Sequence, residues 1–368
     1  MATTSVANVR IAGIVSAIPE MVLDASELEQ KFGAEDTRKI IDNIGVRERH
    51  VVEGNMCASD LCLSAAEVLL QQLGWSRESI DVVVFVSQTP DHVLPATACS
   101  LHGNLNLAKH CAAFDINLGC SGYVYGLWVV SQLMSTGQSR RALLLSGDTI
   151  SKLISDEDRS AYPLFGDAGS ATAVEYKPGS EEMVFVVGTD GKGAEHLIVP
   201  AGGFRHPKNE GTAKRYKQAD GNTRSDEQLR MDGAEIFTFT LREVPPLVKA
   251  TLQVKGWSID DVDAFVFHQA NAYILNYLAR RIKIPADKFI LAMESYGNTS
   301  CASIPLALTC SPQTAIGNGS RKLLLAGFGV GLSWAAVALV LEGTNNLPLA
   351  LLVVKEREEA KGEGVLDV

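Results

Sequence analysis

The chain has 368 residues, 46% of them hydrophobic, and a formal net charge of −10. That length suggests about two domain-sized units, and the apolar fraction is ample for a packed core and excludes a disordered chain. The acidic balance argues against nonspecific binding to nucleic acid or to an anionic membrane surface, though it leaves room for a small basic patch facing an acidic partner. The first residues, MATTSVANVRIAGIV, lack a basic segment before their apolar run, so no signal peptide is expected. Residues 9–16 alternate and predict a first strand. Asp24-Ala-Ser-Glu27 carries helix N-cap chemistry, and a second helix is predicted over 36–43. Residues 45–50 follow as a loop or short strand. The stretch 59–73 is an amphipathic helix ending at Gly74, and 80–87 is an unbroken apolar strand of the buried, parallel type. A helix over 96–107 leads to a short strand, 113–116, and a Gly119 turn into Cys120. From Ser121 to Met134 nearly every face is uncharged, which marks a buried helix. Residues 141–148 form another buried strand, and 165–174 a small-residue turn entering a strand.

The pattern then returns. Gly74-Trp-Ser-Arg-Glu-Ser-Ile-Asp-Val-Val-Val-Phe85 matches Gly256-Trp-Ser-Ile-Asp-Asp-Val-Asp-Ala-Phe-Val-Phe267, 182 residues on. Arg141-Ala-Leu-Leu-Leu-Ser-Gly147 matches Arg321-Lys-Leu-Leu-Leu-Ala-Gly327, 180 residues on, and 170–174 resembles 333–337. Two duplicated α/β halves are expected, 1–175 and 176–343, each with a sheet covered by helices on both faces. Near the start of the second half, 191–228 is polar and Gly-rich, with a basic cluster of Arg205, His206, Lys208, Lys214, Arg215 and Lys217. It reads as a surface excursion, and a charge run of this kind is usually a solvated loop. Residues 344–368 break the pattern and read as a linker, one further strand or arm, and a charged, mobile tail. Their longest uncharged run, 347–354, is far below the ~20 residues of a membrane span.

Three stretches carry chemistry. Cys120 stands at the start of the buried helix, where unpaired N–H groups and the macrodipole favour a thiolate. A lone cysteine more often simply packs. The duplication, however, places a second copy of this region near 298–302, where Glu294-Ser-Tyr-Gly-Asn-Thr-Ser-Cys-Ala-Ser-Ile-Pro305 again opens an apolar helix after a glycine turn. If the two helix N-termini meet at a pseudo-twofold axis, Asn298 lies close to Cys120. The third stretch is Phe265-Val-Phe-His-Gln-Ala-Asn271, whose His268 stands where the strand leaves the sheet, the usual place for a ligand in α/β proteins. Seven cysteines, odd in number and in no C-x-x-C pair, read as reduced thiols of a cytoplasmic protein. No metal-ligand spacing is recognised; His110, Cys111 and Cys120 match none. No cofactor is called for.

C-S-G at a helix start, H-Q-A-N, Y-G-N-T-S-x-A-S-I-P and G-F-G-x-G-x-S-W, in this order over about residues 9–342, resemble β-ketoacyl-acyl-carrier-protein synthase III, a family of thiolase-fold condensing enzymes. The resemblance implies a five-layered αβαβα arrangement and a homodimer. It makes Cys120, His268 and Asn298 the catalytic three. Cys120 would take an acyl group from acyl-CoA or an acyl-carrier protein. Malonyl carried by an acyl-carrier protein would then lose CO2 and attack it. His268 and Asn298, as neutral donors, would hold the enolate oxygen. Backbone N–H groups of Cys120 and of the loop holding Phe328, Gly329 and Val330 would form the oxyanion hole. Phe165-Gly-Asp-Ala-Gly169 is expected to be structural, and Gln269 and Asn271 to hold His268.

Departures from the family bear on the substrate. Lys39 and Asn43 replace a Trp and an Arg of the adenine site, while Asp158-Arg159 is kept, so a CoA donor is less strongly implied than the chemistry. Leu94 stands for the Phe that closes the partner's acyl pocket, which implies a starter larger than acetyl or of different shape. Thr238 and Tyr273 replace basic residues of the carrier-docking surface, and Arg280 and Arg281 remain to meet an acidic carrier. The pathway could be fatty-acid, secondary-metabolite or surface-sugar acyl synthesis. Two other readings stand beside condensation: an acyltransferase delivering the Cys120 acyl group to an amine or hydroxyl, and a catalytically silent scaffold. Retention of Asn298 argues against the first, and retention of Cys120 and His268 against the second.

Overall fold

In the computed structural model the described residues are 1–310, 319–343, 347 and 349–355. The uninterrupted apolar strands are explained by burial on both faces. In Val82–Val86, side chains 82, 84 and 86 enter one core and Val83 and Phe85 another. Arg141–Asp148 and Arg321–Gly329 divide the same way, Leu144 and Leu325 inward to the shared core, Leu145 and Leu324 outward. Such strands belong to sheets with helices on either side.

Two sheets result. The first runs, edge to edge, Leu349–Val354, Val9–Pro19, Ala168–Tyr176, Arg141–Asp148, Val82–Val86 and Ala112–Ile116. The second runs Ala2–Val6, Met183–Thr189, Ser333–Leu341, Arg321–Gly329 and Ala264–Phe267. The repeat seen in the sequence is a repeat of pairing. Val82–Val86 lies parallel to Arg141–Asp148, which is antiparallel to Ala168–Tyr176. Ala264–Phe267, Arg321–Gly329 and Ser333–Leu341 pair in the same way. The chain ends cross over: Ala2–Val6 pairs with Met183–Thr189 in the second sheet, and Leu349–Val354 lies parallel to Val9–Pro19 in the first.

Helices Gly122–Met134 and Ser303–Cys310 lie between the sheets, in the core that both share. Ala58–Leu73 covers the outer face of the first sheet. Gly233–Lys255 and Ala272–Ile282 cover the second. The order of layers is therefore α, β, α, β, α. No described helix is long and apolar enough to cross a membrane.

Most predicted elements form within a few residues of their expected ends. Asp24 caps its helix as read, accepting from the Ser26 N–H at 2.8 Å. The basic residues of 205–217 are exposed, as a solvated loop requires. The excursion is nevertheless anchored at its far end, where Arg224 is 1% exposed and its Nε donates to Asp158 Oδ2 at 2.5 Å. The 344–368 extension contributes the strand Leu349–Val354, and residues 356–368 lie outside the described ones.

Candidate active site

The strand Ala112–Ile116 ends at the Leu118–Gly119 turn, and Cys120 immediately precedes Ser121, the N-cap of Gly122–Met134. Glycines set the approach. A Cβ on Gly329 would lie 2.7 Å from both Cβ and Sγ of Cys120, so only glycine lets that loop pass against the sulfur. The loop is tied to the helix start by hydroxyls: Ser121 Oγ and Ser333 Oγ lie 2.7 Å apart, and Ser333 Oγ donates to the Val330 carbonyl at 2.7 Å. Backbone N–H groups of Val330 and Cys120 reach the sulfur. These are the groups expected to form an oxyanion hole.

Here one expectation fails. The helix terminus was expected to favour a thiolate, but burial outweighs it and pushes the Cys120 thiol up to about 11. Val330 N–H and the Ser300 hydroxyl pull it down, and the nearby negative charge of Asp148 pushes it further up. At neutral pH the resting sulfur carries its proton.

His268 is 1% exposed, and the same burial depresses it to about 3. The ring is therefore neutral. Its Nδ1 lies 2.8 Å from Ser303 Oγ, which also accepts from the Gln269 N–H at 3.4 Å. The Ser303 hydroxyl can donate to or accept from Nδ1, and when it donates the hydrogen of the neutral ring sits on Nε2. The backbone of Ser300 is the ring's other hydrogen-bonding neighbour. Phe328 packs edge-on against the imidazole at 5.8 Å. Gln269 ties the end of the strand to the loop at Ala292, donating to the Phe267 carbonyl at 2.7 Å and accepting from Ala292 N–H at 2.8 Å. Asn271 instead caps the helix Ala272–Ile282, accepting from Ile274 N–H at 2.7 Å, and steadies His268 only through that helix.

Asn298, 5% exposed, pairs with Phe165 across the two halves, its carbonyl accepting from Gly166 N–H at 3.2 Å. Its Oδ1 accepts from Ser300 N–H at 3.0 Å, and its Nδ2 donates to the Ala270 carbonyl at 3.4 Å. The 165–169 stretch is thus structural in a specific sense: it holds Asn298. Behind it, Asp167 accepts from Val52 N–H at 2.9 Å and from Ser151 N–H at 3.0 Å, and burial raises its carboxyl to about 6.

Cys120, Ser300 and Val330 line a cavity of about 360 Å³ with Phe165, Ile150 and Leu229. His268 and Asn298 are not among its lining residues, but both are hydrogen-bonded to the backbone of Ser300, which is. Leu94, Arg159, Arg280 and Arg281 do not line it. Leu94 is 79% exposed. Arg159 is held by Asp36 at 2.7 Å and lies over the Phe32 ring at 5.5 Å. Arg280 and Arg281 face different hollows. Arg280 joins Asn43 and Tyr273 around about 520 Å³, and Arg281 joins Arg242 and Trp257 around about 880 Å³. Sequence reasoning missed Ser300, Ser303 and Asp148. The two serines lie within the quoted 294–305 motif but look like small core residues, and Asp148 looks like a strand end.

Comparisons with known proteins bear on the family. The family model described as 3-Oxoacyl-[acyl-carrier-protein (ACP)] synthase III matches residues 114–191, and its C-terminal counterpart matches 252–341. A relative from Desulfitobacterium hafniense (strain Y51), named beta-ketoacyl-[acyl-carrier-protein] synthase III, is 34% identical over 90% of this chain and 97% of its own length. A putative 3-oxoacyl-[acyl-carrier-protein] synthase 3 from Campylobacter jejuni is 37% identical over 90% of this chain and 93% of its own. The crystal structure of a 3-oxoacyl-(acyl-carrier protein) synthase from Burkholderia xenovorans LB400 superposes with a TM-score of 0.90 at 44% identity, covering 96% of this chain and 99% of that one. The thiolase-like fold, the paired glycine turns and these matches together place this chain in the 3-oxoacyl-[acyl-carrier-protein] synthase III family.

Proposed function

We propose that the protein is a condensing acyltransferase in which Cys120 accepts an acyl group from a thioester and passes it to the carbanion formed when malonyl-acyl-carrier protein loses CO2. The observation that carries this reading is the pairing of a nucleophile with two neutral donors. Acyl transfer alone needs Cys120 and an oxyanion hole, here the N–H groups of Cys120 and Val330. Decarboxylation needs more, because an enolate oxygen must be stabilised in a dry site. A buried neutral histidine, which can offer a ring N–H, and an asparagine with its amide N–H2 suit that task.

The mostly apolar wall beyond Cys120 (Ile150, Leu153, Leu197, Leu229) favours an acyl group larger than acetyl. Lys39 offers no ring face to an adenine, and Arg159 is already engaged by Asp36 and Phe32, which favours a carrier-bound donor over CoA. Arg280 is the better of the two carrier-docking candidates. Its hollow adjoins Asn43 and the start of the helix that follows His268. A homodimer fits the half-exposed edge strand Ala112–Ile116, since an unpaired edge is a template for pairing. It would carry the exposed Leu94 loop to a partner's cavity. The test is CO2 release from malonyl-acyl-carrier protein. Release by the parent, and its loss in Asn298→Ala with Cys120 still acylated, supports condensation. Acyl delivery to an amine or hydroxyl without CO2 release would establish the non-condensing reading.

A further inference from the structure

The site as described has no base for its nucleophile. Cys120 is protonated at rest, and His268 is too buried to accept a proton readily. A third group lies behind them. Asp148 closes the strand Arg141–Asp148, is 0% exposed, and pairs with no cation among the described residues. Its Oδ1 accepts from Gln88 N–H at 2.7 Å, Ser87 Oγ at 2.9 Å, Thr89 Oγ1 at 3.1 Å and Thr89 N–H at 3.2 Å. Burial nevertheless raises the Asp148 carboxyl above its ordinary range, and these donors only offset part of that rise. Oδ2 makes no hydrogen bond of normal geometry. The other donors beside the carboxyl are the Ser300 hydroxyl and the Cys301 thiol, and Cys301 Sγ donates to the Val86 carbonyl at 3.3 Å.

Ser300 comes from the other half of the chain. Its φ of +51°, uncommon for a residue with a side chain, sets the hydroxyl between Asp148 and Cys120. It is also, at the 180-residue offset of the duplication, the copy of Cys120 itself. An unpartnered carboxylate oxygen, a strained serine and the reacting sulfur therefore lie in sequence, from one buried strand end to the wall of the cavity.

We propose that Asp148, through the Ser300 hydroxyl, takes the proton of Cys120 during acylation. This rests on the acyl-transfer reading above. As the sulfur attacks the thioester carbonyl, its S–H bond breaks and the proton passes to Ser300 Oγ, while the Ser300 proton passes to Asp148 Oδ2. When the donor's sulfur departs as a thiolate, the two transfers run backwards and protonate it, so no proton is gained or lost overall. Ser300 touches the reacting atom. Asp148 works only through Ser300, positioning its hydroxyl and holding the proton.

The test is the rate at which iodoacetamide alkylates Cys120 as a function of pH, in the parent, Asp148→Asn and Ser300→Gly. Glycine is at ease at φ +51°, so the second variant removes the hydroxyl without endangering the fold. The titratable groups around Asp148 are Cys62, Cys120, Cys301 and Asp167. The relay predicts that both variants alkylate about tenfold or more slowly at neutral pH, with the rate rising only at higher pH. Acyl transfer should then fall in kcat and not in KM. If Asp148 is only a buried anion, removing its charge lowers the Cys120 pKa, and alkylation is as fast as in the parent or faster; that result overturns the relay. A parent that alkylates normally but accepts no acyl group from any thioester sinks the acyl-transfer reading instead.

Discussion

At the scale of residues, the site separates its tasks among groups that burial has made neutral. His268→Ala and Asn298→Ala each remove one donor to the enolate, and each is expected to lower the condensation rate about 10²–10³-fold while Cys120 still reacts with iodoacetamide. Loss of alkylation in either variant would mean that these residues act on the thiol. His268 also marks stability. Its folded value of about 3 lies below the ordinary 6.5, so the unfolded chain binds more protons between those values. The stability it lends is full above about 6.5 and is lost as the pH falls toward 3. Asp167, raised to about 6, works in the opposite sense and is present in every variant. Denaturant titrations of His268→Gln should therefore show a shallower acid limb than the parent between pH 6.5 and 3. Equal limbs would mean that His268 is not held neutral by the fold. Sequence pointed to Cys120 and Asn298 through the duplicated pattern, to His268 through its place at a strand end, and to the three as one set through the family resemblance. It missed the serine hydroxyls, because a small polar residue in an apolar helix has no pattern until its partner from the other half is in place.

At the scale of elements, glycine loops and one anchored excursion hold the site. Gly329→Ala would set a Cβ 2.7 Å from the Cys120 sulfur. The loop must then retreat, with Val330 and its N–H, at a cost of about 1–3 kcal/mol in stability and a larger loss of acylation rate. A variant acylated as fast as the parent would show that this loop contributes no donor. The 191–228 excursion is fixed by Arg224, buried against Asp158 and also bonded to Asp220. Arg224→Ala leaves Asp158 buried without its partner and is expected to cost about 3–5 kcal/mol, measured by denaturant melting. The same segment positions Arg159, whose N–H donates to Asn222 Oδ1 at 2.9 Å, so KM for the donor should rise as well. The basic charge of this segment was legible in the sequence and its anchor was not. Arg224 reads as one more surface cation until Asp158, 66 residues earlier, is seen to meet it.

At the scale of the whole molecule, the architecture follows from two facts: apolar strands need cover on both faces, and the same unit occurs twice. Those facts were readable, and the matched stretches 74–85 and 256–267, with 141–147 and 321–327, do form equivalent strands of the two sheets. What sequence could not give is the exchange of chain ends. Ala2–Val6 joins the second sheet and Leu349–Val354 the first, pairings set by long-range register with no local signal. A chain ending at Gly343 loses the strand that covers one edge of the first sheet. It is expected to melt a few degrees lower while Cys120 keeps its reactivity, since that strand lies at the opposite edge from Ala112–Ile116. An unchanged melting temperature would show that the strand adds nothing to the fold.

The most direct test of the account is intact-protein mass spectrometry of the parent and Cys120→Ala after mixing with a panel of acyl-CoAs and acyl-carrier proteins. Malonyl-acyl-carrier protein is added afterwards. The account predicts an acyl adduct on the parent alone, discharged by malonyl-acyl-carrier protein with release of CO2 and a β-ketoacyl product. An adduct on Cys120→Ala, or one on the parent that malonyl-acyl-carrier protein leaves in place, would contradict it.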